Sequence, residues 1–219
     1  MTCFIPPSAD CSHCKRLVEL RHRCRQQEPS WHNAPVESLG AISARILIVG
    51  LAPGLRGANR TGRPFTGDSA GGYLFAMLTR FGLATGDYRN DGDDDIQLVD
   101  VRITNAVRCL PPANKPVAAE IKACQPYLTA EIAAMPRLDT ILTLGRVAHD
   151  ATLRGLGIRP ASLPFGHAAS QTAITDGRQL TVVSSYHCSR YNTQTRRLTD
   201  EMFADIFRMI TEQHARARR

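Results

Sequence analysis

The chain has 219 residues, 43% of them hydrophobic, and its 27 Lys and Arg against 20 Asp and Glu leave a formal charge of +7. One domain is expected at this length, residues 1–219, burying about 70% of the unfolded surface, so neither a disulfide nor a cofactor is needed merely to hold it together. No segment approaches the roughly 18 apolar residues a membrane span needs, and the start lacks a charged region followed by an apolar stretch, so a cytosolic protein with no membrane partner is expected.

In chain order, the first motif is Cys11-Ser-His-Cys14, followed by an apolar run at Arg45-Ile-Leu-Ile-Val-Gly50 that reads as a strand. A glycine- and proline-dense loop then runs to Asp68, and apolar spacing behind an Asp-Ser cap predicts a helix over 69–81. The acidic run Asp91-Gly-Asp-Asp-Asp95 reads as a solvated turn facing away from any anionic substrate. A strand is predicted over 96–104, then Asn105 and Cys109. A helix over 117–135 carries Cys124 and is expected to be interrupted at Pro126. A strand at 140–145, a short helix at 147–153, a strand at 179–185, the segment Tyr186-His-Cys-Ser-Arg-Tyr-Asn-Thr-Gln-Thr195 and a helix over 199–214 complete the chain. There is no internal repeat. Strands alternating with helices predict a three-layer α/β/α fold around a mainly parallel four-stranded sheet. Ligands bind such sheets beyond the carboxyl ends of the strands, where the glycine-rich loop, Asn105 and His187 would sit.

Several residues carry chemistry by type. Phe65 and Asp68 are the only aromatic and the only acid in the glycine-rich loop; the first suits stacking, the second suits steering water or capping the helix that opens at Ser69. Asn105 offers a donor and an acceptor together, and His187 a neutral donor at a strand end. The arginines at both ends and between Arg56 and Arg63 suit a polyanion as well as a plain solvated face. Seven cysteines in a reducing compartment argue against a disulfide framework. The spacing Cys11, Cys14, Cys109, Cys124 is open to zinc, to an iron-sulfur cluster, or to one Cys-x-x-Cys pair plus two buried thiols.

The words Gly50-Leu-Ala-Pro-Gly54 with Arg63-Pro-Phe-Thr-Gly-Asp68, then Ile103-Thr-Asn-Ala-Val-Arg-Cys-Leu-Pro-Pro112, then Tyr186-His-Cys-Ser-Arg-Tyr191 resemble, in order, the motifs of the uracil-DNA glycosylase superfamily, and most of all its iron-sulfur family 5, or type b. The resemblance spans about residues 11–200. It implies flipping and excision of uracil from DNA containing damaged bases, with hypoxanthine in range, by hydrolysis of the N-glycosidic bond. Gly50, Ala52, Pro53 and Gly54 would line the base pocket, Phe65 would stack on the base, Asn105 would read its edge and His187 would face its O2. With Ala52 where the best-known glycosylases place an Asp, Asp68 is implied as the carboxylate that steers water and offsets the sugar's charge. Ser189 and Arg190 would hold the DNA backbone, Arg190 alternatively entering the minor groove, and Tyr191 would fill the gap left by the flipped nucleotide. Cys11, Cys14, Cys109 and Cys124 match the ligands of a structural [4Fe-4S] cluster, through which the N-terminal segment, residues 1–40, would pack on the rest. Cys3, Cys24 and Cys188 are left over.

Two departures stand out: Cys188 replaces the Pro or Val of many relatives, leaving a looser loop and an oxidisable thiol, and Arg196-Arg197 stands where Gly-Arg is common. The insertion Lys-Arg-Arg-Ile-His of covalently trapping relatives is absent, so turnover as a monomer is expected. A non-enzymatic iron-sulfur DNA-binding or redox-sensing protein would also explain the charge and the cysteines. A nucleotide hydrolase would need Gly-Lys-Ser/Thr after the glycine-rich loop, which the chain lacks.

Overall fold

The computed structural model describes residues 4–175 and 177–216. Along the chain, α1 (Lys15–Gln27) precedes β1 (Ile46–Gly50), the single turn α2 (Ala58–Thr61) and α3 (Ser69–Arg80). Short strands β2 (Ala84–Thr85) and β3 (Gln97–Leu98) pair with each other, and β4 (Val101–Asn105), α4 (Ala118–Ala134), β5 (Thr140–Leu144) and α5 (Arg146–Gly155) follow. The chain ends with β6 (Ser170–Thr175), β7 (Arg178–Ser185), α6 (Arg190–Gln194) and α7 (Asp200–Arg216).

The central sheet runs β4-β1-β5-β7-β6, with the first four strands parallel and β6 antiparallel on the edge. Alternate residues of β1 explain its unbroken apolar run: Ile46 and Ile48 pack with α3 and α7 on one face, Leu47 and Val49 with α4 and α5 on the other. This is the three-layer α/β/α fold. The sheet has five strands, not four, because β6 buries only Ala173 and so lacks the apolar signature of an inner strand.

Three further expectations change. The strand predicted over 96–104 breaks in two, since Asp100 adopts a left-handed φ of 55° and turns the chain from the β2–β3 ribbon into the sheet. Helix α4 passes through Pro126 unbroken. Pro126 and Lys122, whose carbonyl loses its partner there, lie on the exposed face, where water replaces the bond, while Cys124, Leu128 and Ile132 hold the buried one. Helix α1 was hidden by its own composition: Leu17, Arg21 and Cys24 share its buried face at helical spacing, with an arginine where an apolar residue is the norm.

The N-terminal segment is tied to the sheet by protein contacts of its own. Asn33 and Asn59, both buried, join side chain to side chain at 2.8 Å, the Val36 amide donates to the Arg108 carbonyl at 2.7 Å, and Arg16 pairs with Glu120. Among the described residues no helix is long and apolar enough to cross a membrane.

Candidate active site

Four of the residues singled out in the sequence meet at the carboxyl ends of the strands. Gly50 ends β1, in register with Asn105, which ends β4, while His187 lies two residues beyond β7. Gly50 is required by close approach: a Cβ there would collide with Asn105 Oδ1 and lie 2.7 Å from Phe65 Cζ. Phe65 is held over it in a left-handed conformation, φ 52°, a strained state for a bulky residue. Its carbonyl accepts from the Tyr88 hydroxyl at 3.1 Å, packed where Gly71 has no side chain. The His187 ring lies 6.2 Å from that of Phe65, the planes 23° apart.

Several polar atoms at this point are not engaged with the protein. Asn105 is only 5% exposed, yet no hydrogen bond reaches its amide among the described residues, nor any the His187 ring nitrogens. Burial lowers the His187 pKa, against a raising pull from Asp68, so the imidazole is neutral at pH 7. Asp68 has two functions at once. Oδ1 caps α3 by accepting from the Gly71 amide at 3.1 Å, and Oδ2, free of protein partners among the described residues, faces the turn whose Gly54 and Gly57 leave room for it. Asn105 is buried and His187 and Asp68 are half-buried, and polar groups so placed normally find partners, so their unengaged atoms beside a single ring suit a polar, planar ligand.

The remaining residues divide. Pro53 is buried, and Ala52 leans on the apolar group of Leu17, Val107 and Cys124, so the loop's first turn spans the site and the cysteines. Ser189 caps α6, its Oγ accepting from the Asn192 amide at 3.4 Å, which leaves its hydroxyl proton free to point outward. Arg190 is exposed, and Tyr191 is 70% exposed at the tip of the same loop. Asn192, missed in the sequence, donates to the His187 carbonyl at 2.8 Å and fixes that turn. Beside His187 opens a groove of about 320 Å³ with Arg146 over Phe165 and Arg197 over Tyr186 on its walls. No sequence signal pointed to Phe165 or His167 there.

Two expectations are corrected. Cys188 is no reactive thiol: it is 1% exposed, its pKa is pushed up to about 12 by burial, and it donates to the Ala70 carbonyl. The acidic run does not simply face solvent. Arg63 grips Asp94 through both terminal nitrogens, at 2.6 and 2.5 Å, and its guanidinium lies 5.7 Å from the centroids of the Phe75 and Tyr88 rings, which stack on each other at 4.4 Å. The Asn90 side chain meanwhile accepts from the Gly67 amide. The segment 89–96 thus braces the loop that carries Phe65, and Arg63 is used up in the brace.

The cysteines converge on the far side of the Asn105–Cys109 segment. Cys11, Cys14, Cys109 and Cys124 line one cavity together with Leu17, Val18, Arg21, Val107 and Tyr127. The Arg108 amide donates to Cys124 Sγ at 3.4 Å. Burial, reinforced by the neighbouring thiols, raises Cys14 to about 11 and Cys109 to about 12, so without a metal they stay protonated. Among the described residues no three His, Cys, Asp or Glu side chains stand close enough to grip a single ion. Four soft donors around an apolar cavity with no carboxylate in its wall fit, in kind, the ligands of an iron-sulfur cluster. Cys24 is buried elsewhere, and Cys3 lies outside the described residues.

The family model described as the Uracil DNA glycosylase superfamily matches residues 37–211. This chain belongs to that superfamily. It is 43% identical over 209 residues, 93% of both chains, to a type-5 uracil-DNA glycosylase of Thermus thermophilus, and 36% identical to the type-5 enzyme of Pyrobaculum aerophilum, over 94% of this chain and 89% of that one. A type-4 uracil-DNA glycosylase of Pyrobaculum aerophilum is 33% identical over 79% of this chain. The matched span 37–211 contains Gly50, Phe65, Asp68, Asn105 and His187, the residues that the fold brings together at the carboxyl ends of the strands.

Proposed function

We propose that this protein flips uracil out of DNA and hydrolyses its N-glycosidic bond, leaving an abasic site. The observation that carries the reading is the unengaged Asn105 amide, held nearly buried over Gly50 beside Phe65 and His187. A flipped base lies against Phe65, and the amide donates to its O4 and accepts from its N3–H. Stacking and edge bonds offset the few kcal/mol that unstacking costs. Neutral His187 donates to O2 as negative charge builds on the departing base, an electrostatic stabilisation that needs no proton transfer. Asp68 Oδ2 orients water toward the sugar and stabilises its positive charge, while Oδ1 stays on the helix cap. Hypoxanthine presents an O6 and N1–H edge that the Asn105 amide reads as it reads O4 and N3–H of uracil, and Ala52 adds no acid or bulk against it, but without an O2 it gives up the His187 contact.

DNA is held by Ser189, Arg190 and the arginines of the adjoining groove, with exposed Tyr191 entering the stack. A [4Fe-4S] cluster on Cys11, Cys14, Cys109 and Cys124 supplies a covalent tie between the N-terminal segment and the Asn105–Cys109 run. Base release transfers no electron, so its part is structural. The protein acts as a cytosolic monomer.

The test is strand cleavage, after alkali, of a labelled oligonucleotide bearing one uracil or one hypoxanthine, with the parent, Asp68→Ala and His187→Ala. Breaks from the parent and large losses in both variants are expected. A parent that binds DNA yet releases neither base would favour the non-enzymatic iron-sulfur reading. For Tyr191→Ala, activity should fall on duplex more than on single strands; an unchanged ratio removes the wedge role.

A further inference from the structure

The wall of the cysteine cavity carries a buried cation whose charge nothing in the protein answers. Arg21 sits on the inner face of α1, 5% exposed, and one terminal nitrogen donates to the Cys11 carbonyl at 2.9 Å. Its Nε and the other terminal nitrogen are closed off from solvent and have no hydrogen-bond partner among the described residues. A guanidinium does not shed its proton, so burying it without an anion costs several kcal/mol. Arg108, on the same wall, meets its charge through Glu131. Asp10, the acid near Arg21, is exposed and bound by Arg25 at 2.7 Å. No carboxylate lines the cavity, whereas all four thiols do.

We infer that Arg21 is the counter-charge of the cysteine-bound cluster, its two unpartnered nitrogens donating toward the thiolates while the third holds the Cys11 backbone in place. The inference rests on the cluster reading above. Four thiolates around an oxidised [4Fe-4S] core leave a net charge of −2, and a buried guanidinium beside them lowers the cost of that charge and eases further reduction. It also explains an arginine in the core-facing register of α1, between Leu17 and Cys24, where packing alone would select Leu or Met.

The experiment starts with iron and acid-labile sulfide in the purified parent. A parent without both ends the cluster reading and this inference together. With the cluster present, Arg21→Met and Arg21→Lys are compared for reduction potential, for thermal stability and for loss of cluster absorbance in ferricyanide with a chelator. Arg21→Met should show a more negative potential and lose its cluster about tenfold faster, the usual scale for a removed outer partner. Arg21→Lys should keep most of the potential, as a point charge, but not the lifetime, since it lacks the planar fork. If Arg21→Met does not fold, the Lys variant decides: a parental cluster lifetime refutes the inference. An unmoved potential in Arg21→Met, even with a lowered melting temperature, reduces Arg21 to packing and overturns it.

Discussion

The pocket around Asn105 and the cavity around Cys109 are four residues apart on one segment, yet they are built in opposite ways. At the pocket, the Asn105 amide, the His187 ring and one oxygen of the helix-capping Asp68 are left without protein partners among the described residues, against one aromatic ring. At the cavity, four thiols from three separate places in the sequence meet in an apolar wall that also carries Arg21, a cation without a carboxylate partner. The first uses the sheet as a rigid frame and is set by strand register. The second depends on α1 and α4 being docked, so it answers to tertiary packing. Between them lies a polar network that serves both: Glu131 of α4 takes Arg102 at 2.6 Å, Thr104 at 3.0 Å and Arg108, while Ser38 bridges Arg108 and Thr104.

The largest break is expected there. Glu131 is fully buried, and although burial raises its pKa, the two arginines win and hold it below the ordinary value, so it is an anion. Glu131→Gln leaves Arg102 and Arg108 buried without their counter-charge and should cost about 3–5 kcal/mol in denaturant unfolding. Both regions should suffer together, uracil release and cysteine-bound metal falling in parallel. Loss of one without the other would show that the network does not couple them. Asn105→Ala separates the two regions instead. It should lower single-turnover uracil release by about 10²- to 10³-fold, the scale of one lost stabilising donor, with little change in melting temperature or metal content.

The contrast also explains what was legible. Gly50, Phe65, Asp68, Asn105 and His187 could be found because each sits in a short contiguous motif after a strand, and the strands announce themselves by apolar runs. Parallel layering followed from the alternation of strands and helices. The edge strand β6 could not be seen, since one buried alanine leaves no period. The brace was misread: in Asp91-Gly-Asp-Asp-Asp95 composition says solvent, and only the fold shows that Asp94 alone turns inward to Arg63. Arg21 was invisible for a related reason. A charge in the core-facing position of a helix looks like a break in the pattern until its surroundings are known.

A smaller effect tests how far the brace reaches. Arg63 depresses the Asp94 pKa to about 2, against 3.8 for a free carboxyl. The sign follows: the unfolded chain holds this proton more tightly, so the pair's stabilisation is complete above about pH 4 and disappears as pH falls through 2. The difference in melting temperature between the parent and Asp94→Asn should therefore be widest near neutrality and close by pH 2. A gap that is constant with pH would mean that the asparagine fails by shape, not by charge.

The smallest effect concerns the loop that carries His187. Arg196 adopts φ 57°, the left-handed region in which glycine has no steric penalty, at the position where resemblance to the family places glycine. A non-glycine residue there costs about 1–2 kcal/mol, of which the greater unfolded freedom of glycine takes back roughly 0.5–1 kcal/mol, so Arg196→Gly should stabilise the protein by about 0.5 kcal/mol. The same change removes a positive charge next to Arg197, which lies over Tyr186 in the groove beside His187. If Arg196 contacts a DNA phosphate, the variant will bind DNA more weakly at low salt and with a salt slope shallower by about one counterion. A gain in stability with an unchanged slope would assign the strained arginine to neither region.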